Sequence, residues 1–402
     1  MLQERRPAVR LTITVVTILI LASAFYQRAA YNLRRIDYRN SNFVFFWLAG
    51  RMITSGENPY DSAQWLAQHD ANHVSWRPDR IFLYPLPLAF LLAPLGFLEL
   101  DRAYFGWQLL SQALMSLAVW LLLKQTTDAR RQTLLLPLSL IFLFFGPVYL
   151  SLQIGSLGAL TLAVLTATIL ALDRQHTLLA GILLSLTLLK PPQGLPIVAL
   201  AAAWLVTRRA WPAIIGLGVG ALALFFTGVL GDAQWLSKFA ASGQAVMDRN
   251  MGVQSNAFGL AHRACAGGAA CMWLLGGSAA ILILILCTVY LWRRRRDLSP
   301  WEAFNIILPC AFVSTPYLWS YDQMPYIIPV VWIVIRLVDR TRSYIPAFAF
   351  AAILVITSFV ALAFQANTRS DMLSLLTTAL VLVAALVLGH LKGPRASAPM
   401  PL

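Results

Sequence analysis

From Leu11 onward the chain alternates between long apolar runs and short polar or basic connections. The first run, LTITVVTILILASAFY, follows the basic segment MLQERRPAVR and leads into a polar and aromatic stretch from about Gln27 to Arg80. Further apolar runs follow at 81–98, 103–123, 133–150, 157–172, 178–189, 193–207, 211–230, 273–292, 303–318, 323–338, 344–364 and 373–391. A helix that crosses a bilayer needs about 20 mostly apolar residues, and ~17 is a lower limit. Several of these runs fall short, so they are expected to be tilted, extended into polar flanks or broken. The first run has no clear small-residue cleavage site and reads as a retained anchor.

Basic residues orient the runs. Arg130/Arg131, Asp173/Arg174, Arg208/Arg209, Arg293 to Arg296, Arg336 to Arg342 and Lys392/Arg395 mark every second connection, as the positive-inside rule requires of cytoplasmic loops. The connections 148–156, 190–192, 231–272, 319–322 and 366–371 then face outward, and so does 27–80. An odd number of crossings must separate 27–80 from 124–131, yet two runs lie between them. The run at 81–98 carries Pro85, Pro87 and Pro94, which break backbone hydrogen bonds. It is expected not to cross fully, which gives 12 spans with both termini cytoplasmic; a plain count gives 13. The fold class is an all-α polytopic membrane protein of about 12–13 transmembrane helices, with interfacial helices in the first outer loop. Residues 1–392 read as one integral membrane domain and 393–402 as a disordered cytoplasmic tail.

Composition agrees. The chain is 59% hydrophobic and 12% charged, against about 25% charged in soluble domains. The net charge of +14 belongs to the cytoplasmic connections, and no nucleic-acid motif accompanies it, so nucleic acid is not an expected partner. Cys287 and Cys310 lie inside apolar runs and read as small core residues. Cys265 and Cys271, six apart around Gly267-Gly268 in an outer loop, are either a small disulfide or two free thiols. The five histidines have no zinc-binding spacing, so neither a metal nor a cofactor is expected.

The unusual polar chemistry sits in the outer loops. Residues 40–61, NSNFVFFWLAGRMITSGENPYD, read as an aromatic helix at the membrane surface closed by an Asn-Pro-Tyr-Asp turn; a simple interfacial anchor is the plain alternative. Lys190 ends an apolar run before Pro191-Pro192. It is either a snorkelling anchor or a point charge for phosphate. Asp322 lies between two apolar spans, where a carboxylate is costly unless it faces water or a partner. Gln153, after Gly146-Pro147, is a weaker candidate and could equally serve an interhelical hydrogen bond.

Together these segments resemble glycosyltransferase family 87. Asn42-Phe43-Val44-Phe45-Phe46-Trp47-Leu48-Ala49, followed by Gly56-Glu57-Asn58-Pro59-Tyr60-Asp61, is similar to the family's first outer loop. Tyr84-Pro85-Leu86-Pro87 with Ala93-Pro94-Leu95 resembles its Tyr-Pro-Pro…Pro-Leu segment, and Lys190-Pro191 its Lys-Pro motif. Gln254-Ser255…Gly259…Arg263 and Thr315-Pro316-Tyr317…Trp319 resemble two further motifs, with Ser320-Tyr321-Asp322-Gln323 in one subgroup's form. Gln153 falls where the family has a Gly-Gln pair, although Leu152 precedes it here. The resemblance covers roughly residues 37–330 in order; each motif is short, and the ordered set carries the specificity.

The resemblance implies a GT-C type bundle in a bacterial inner membrane. It implies transfer of a sugar, mannose first, from a polyprenyl-phosphate donor to a glycolipid or glycan acceptor on the extracytoplasmic face. Such chemistry needs a base for the acceptor hydroxyl and cations for the departing phosphate. Family members carry Asp at the position of Asn42, and an amide cannot take a proton at neutral pH. Asp37 and Asp322 are the carboxylates that could replace it, so the expected catalytic set is Asp37, Asn42 and Asp322. Lys190 and Arg263 are assigned to the phosphate and Trp47 and Trp319 to sugar stacking. Gln153, Tyr60, Tyr84 and Gln254 complete the expected substrate-binding set. Two other readings remain: an inactive relative that binds lipid-linked sugar, and a lipid-linked-sugar transporter or flippase.

Overall fold

The computed structural model describes residues 7–74 and 81–390. The basic pair Arg5/Arg6, Lys392/Arg395 and the expected tail 393–402 lie outside the described residues. Every regular element among the described residues is helical. The order is α1 Pro7–Arg35, α2 Asn42–Thr54, α3 Ser62–Ala71, α4 Leu86–Leu92, α5 Leu100–Leu123, α6 Asp128–Leu143, α7 Gly146–Ile154, α8 Gly158–Asp173 and α9 Thr177–Ser185. Then come α10 Pro191–Thr207, α11 Trp211–Gly231, α12 Trp235–Asn250, α13 Ala257–Ala264, α14 Ala269–Arg293, α15 Pro300–Ser314, α16 Ile327–Thr341, α17 Ile345–Thr368 and α18 Ser374–His390.

Six helical segments are long and apolar enough to cross a membrane alone: Leu11–Arg35, Leu100–Leu123, Trp211–Gly231, Ala269–Arg293, Ser320–Thr341 and Ile345–Thr368. The chain is therefore a multi-pass membrane protein. A seventh crossing forms if Thr133–Leu143 and Gly146–Ile154 act together across their 63° bend. That bend falls at Gly146-Pro147, where proline is favoured in a helix's first turn but cannot continue the previous one. The rest of the expected 12–13 crossings would have to come from shorter helices, such as 158–173, 191–207 and 374–390.

The run at 81–98 forms α4 and a 3-10 turn over Ala93–Phe97. Leu86–Phe97 spans roughly 18 Å at helical rise, well short of the ~30 Å hydrocarbon layer. It folds back against α2 at backbone contact: a Cβ on Gly96 would sit 2.4 Å from the Arg51 nitrogen, and one on Gly50 2.5 Å from the Leu92 carbonyl oxygen.

Two cores result. The larger lies among the bundle helices and includes Phe304, Phe312, Trp204 and Tyr326. The smaller is built from the first loop, where Phe43, Phe46 and Trp65 pack with Phe82, Tyr104 and Trp107. All of Phe43 to Gly50 is buried. The aromatic residues of α2 thus feed this core: the Phe45 and Trp65 rings stack at 5.8 Å and Phe46 meets Tyr84 edge-on at 4.9 Å. At the opposite end of the bundle, Arg208 donates to the carbonyls of Arg295 and Leu298, and Arg336 pairs with Glu302 at 2.7 Å.

Candidate active site

Lys190 owes its position to a break in the helical path. A 3-10 turn over Leu186–Leu189 ends α9, and Lys190 takes φ −131°, ψ 79° as the N-cap of α10. Pro191 and Pro192 then fill the first turn, where their missing N–H groups cost nothing. The ammonium is thereby held at the positive end of a helix dipole, a place that favours anions. The anion present is Asp322, whose Oδ1 accepts from Lys190 Nζ. Both side chains are buried, at 8% and 1% exposure. Two charges out of water are tolerated only when paired and hydrogen-bonded.

Asp322 is presented by a 3-10 turn over Ser320–Tyr326, and its Oδ2 accepts the Trp319 N–H at 3.3 Å. Around the pair stand Tyr321, Tyr84, Asn42 and Gln193. Lys190 Nζ lies 5.3 Å from the centre of the Tyr321 ring, which stacks on Trp319 at 6.3 Å with 8° between planes. Asn42, the first residue of α2, makes its side-chain contact with Tyr321. Burial raises the Tyr84 phenol far above its ordinary pKa, with Tyr317 and Asp322 adding to the effect. Gln193 lies beside Asp322, yet its Nε2 is buried with no well-formed hydrogen bond. Its side chain bears on the Asp322 carboxylate.

The segments that resemble family motifs meet here. Thr315 Oγ1 donates to the Pro192 carbonyl, which joins the Thr-Pro and Lys-Pro segments. Gln254 Oε1 accepts the Leu318 N–H at 2.9 Å and thereby pins the Thr315–Trp319 loop to the 231–272 connection. Tyr60 Oη donates to the Tyr84 carbonyl and joins the first loop to the second segment. Gly155 sets the depth of Asn42. It turns with φ +63°, and a Cβ there would fall 2.6 Å from that of Phe43, the neighbour of Asn42.

Other expected residues do not reach the ion pair through the contacts observed. Asp37 is exposed, and its carboxylate accepts from Asn40 at 2.5 Å. Trp47 is buried with its indole N–H on the Leu98 carbonyl at 2.9 Å. The Gln153 carbonyl accepts from Tyr104 at 2.8 Å. Arg263 is exposed and donates to Ser370 and, at 3.5 Å, to the Gly252 carbonyl. Cys265 and Cys271 are joined as a disulfide just beyond it.

One carboxylate escaped the sequence reading. Asp371, in the connection between α17 and α18, is 1% exposed and accepts the Ser320 N–H. Burial pushes its carboxyl up to about 7; the Ser320 bond pulls the other way and the Asp322 charge adds to the rise. No motif marks it. The available signal was an acid beside an apolar run, the same signal that singled out Asp322.

The family model for glycosyltransferase family 87 matches residues 82–316. Neither the curated proteins nor the solved structures contain a match to the chain.

Proposed function

The chain belongs to glycosyltransferase family 87, and from that premise we propose that it transfers mannose from a polyprenyl-phosphate donor to a glycolipid or glycan acceptor. On this reading it lies in a bacterial inner membrane with both termini cytoplasmic, and Lys190, Asp322 and Asn42 face the extracytoplasmic side. The observation that carries the reading is the buried Lys190–Asp322 pair at the N-terminus of α10.

The pair has the two charges that the chemistry requires. As the acceptor hydroxyl attacks the anomeric carbon, its proton passes to the Asp322 carboxylate. The bond from the anomeric carbon to the phosphate oxygen breaks, and negative charge collects on the departing lipid phosphate. Lys190 meets that charge already oriented and shielded from water, where a fixed cation acts most strongly. A bound phosphate also draws Lys190 from Asp322, which frees a carboxylate lone pair for the proton. Gln193 Nε2 supplies a hydrogen bond to the donor, and the half-buried Trp319 face supports the sugar. The apolar helix faces accommodate the polyprenyl tail.

A second reading has its own observation. Asn42 stands where the family carries a carboxylate, so a chain that binds lipid-linked sugar without transferring it is the competing proposal. The test is to reconstitute the protein in lipid with radiolabelled polyprenyl-phosphate mannose and a membrane lipid extract. Labelled product supports transfer. Donor binding with no product supports the inactive relative, and donor crossing the bilayer with no product supports a transporter.

A further inference from the structure

Residues 369–374 join three parts of the site end, and Asp371 is their centre. Its backbone N–H donates to the Val253 carbonyl at 2.7 Å. Its Oδ2 accepts the N–H of Ser320 and faces the Ser255 hydroxyl at 3.5 Å. Ser374 Oγ returns to the Asp371 carbonyl at 2.7 Å, which fixes the start of α18. Next to it, Ser370 receives Arg263. One carboxylate therefore ties the 231–272 connection to the first residue of the 3-10 turn that carries Asp322. Residue 371 lies beyond the segment 82–316 that the family model matches.

We propose that Asp371 is the positioning residue of the Lys190–Asp322 pair, acting by clamping the Ser320 N–H so that the turn presents Asp322 to Lys190. It touches neither Lys190 nor a reacting atom. The geometry leaves little slack: Asp322 follows Ser320 by two residues, and its Oδ2 depends on the Trp319 N–H of the same turn. A turn released at Ser320 loses the register of both its carboxylate oxygens. Asp371 Oδ1 has no hydrogen-bond partner, so the clamp rests on a single oxygen, and an amide oxygen can replace it. This site is the one proposed above for transfer, but the test reads no turnover and stands if that reading fails.

The readout is the rate at which an amine-reactive acetyl ester modifies Lys190 in the full-length protein in lipid nanodiscs, followed by peptide mass spectrometry. Asp371→Ala removes the acceptor and should speed modification by about tenfold, the worth of a hydrogen bond to a charged group. Asp371→Asn keeps an acceptor oxygen and should restore protection to within about twofold of wild type. Ser320→Pro removes the donor instead. Trp319 is already extended at φ −116°, ψ 160°, as a residue before proline prefers, so this variant remains informative if Asp371→Ala does not fold. It should match Asp371→Ala, and the double variant should add nothing, the mark of two partners in one interaction. Wild-type protection in both Asp371→Ala and Ser320→Pro would overturn the proposal. So would Asp371→Asn reacting as fast as Asp371→Ala, because the acceptor oxygen would then not be the clamp.

Discussion

The 42nd residue decides how the site is read. Asn42 contacts Tyr321, whose ring lies beside Lys190, so an acid there would join the pair's surroundings. Asn42→Asp is expected to leave transfer at or above wild type; a clear fall would give the amide its own role. Lys190→Ala should lower kcat by at least about 10²-fold, as loss of a preorganised charge does. It also strands Asp322 as an unpaired buried charge, costing about 3–5 kcal/mol. The double variant Lys190→Ala/Asp322→Ala should recover thermal stability without recovering turnover, and recovery of both would remove the pair from the chemistry. Asp371 adds a pH dependence. Its folded pKa of about 7 stands above the ordinary 3.8, so between those values the native state keeps a proton that the unfolded chain has lost. Stability from this group is complete below pH 4 and is lost as pH rises through 7. Asp322 and Ser320 face it, with Arg263 one residue away on Ser370. Asp371→Asn should melt with wild type at pH 5 and roughly 2–5 °C higher at pH 8; a lower melting point at pH 8 would contradict that sign. Lys190 and Asp322 were legible in the sequence because an ionisable group beside apolar spans is costly and demands a partner. The directions taken by Asp37 and Trp47 were not, because a motif does not say which way a side chain turns: one bonds Asn40 and the other Leu98.

At the scale of elements, the site depends on broken helices. The 3-10 turns before Lys190 and around Asp322 bring two chain segments together at one end, and the 63° bend between α6 and α7 leads to Gly155 beneath Phe43. The prolines at 147, 191 and 192 announce two of these breaks in the sequence. The aromatic density of 43–47 announces α2 but not its burial, which α4 and the 3-10 turn after it complete by folding back. That contact is tight enough to test. Gly96→Ala would push a methyl into the Arg51 backbone, which cannot yield as a flexible side chain would. It should cost about 1–3 kcal/mol, read as a lower melting point in detergent. An unchanged melting point would mean that α4 does not press on α2 in this way.

For the whole molecule, the 12% charge divides the two ends more sharply than the 59% apolar content. Arg208, Arg294 and Arg336 gather at one end, while Lys190, Asp322 and Asp371 meet at the other. The proposed orientation follows from the positive-inside rule. Ser55→Cys should react with a membrane-impermeant maleimide in intact cells, and Asp297→Cys only after permeabilisation; the reverse pattern would invert the molecule. Family membership makes this chain a membrane glycosyltransferase, and the Lys190–Asp322 pair is proposed to perform the transfer. The most direct measurement is the turnover of Asp322→Asn beside its affinity for polyprenyl-phosphate mannose. Product formation should fall at least about 10²-fold with donor still bound. Turnover of Asp322→Asn at the wild-type rate would contradict that role for the pair.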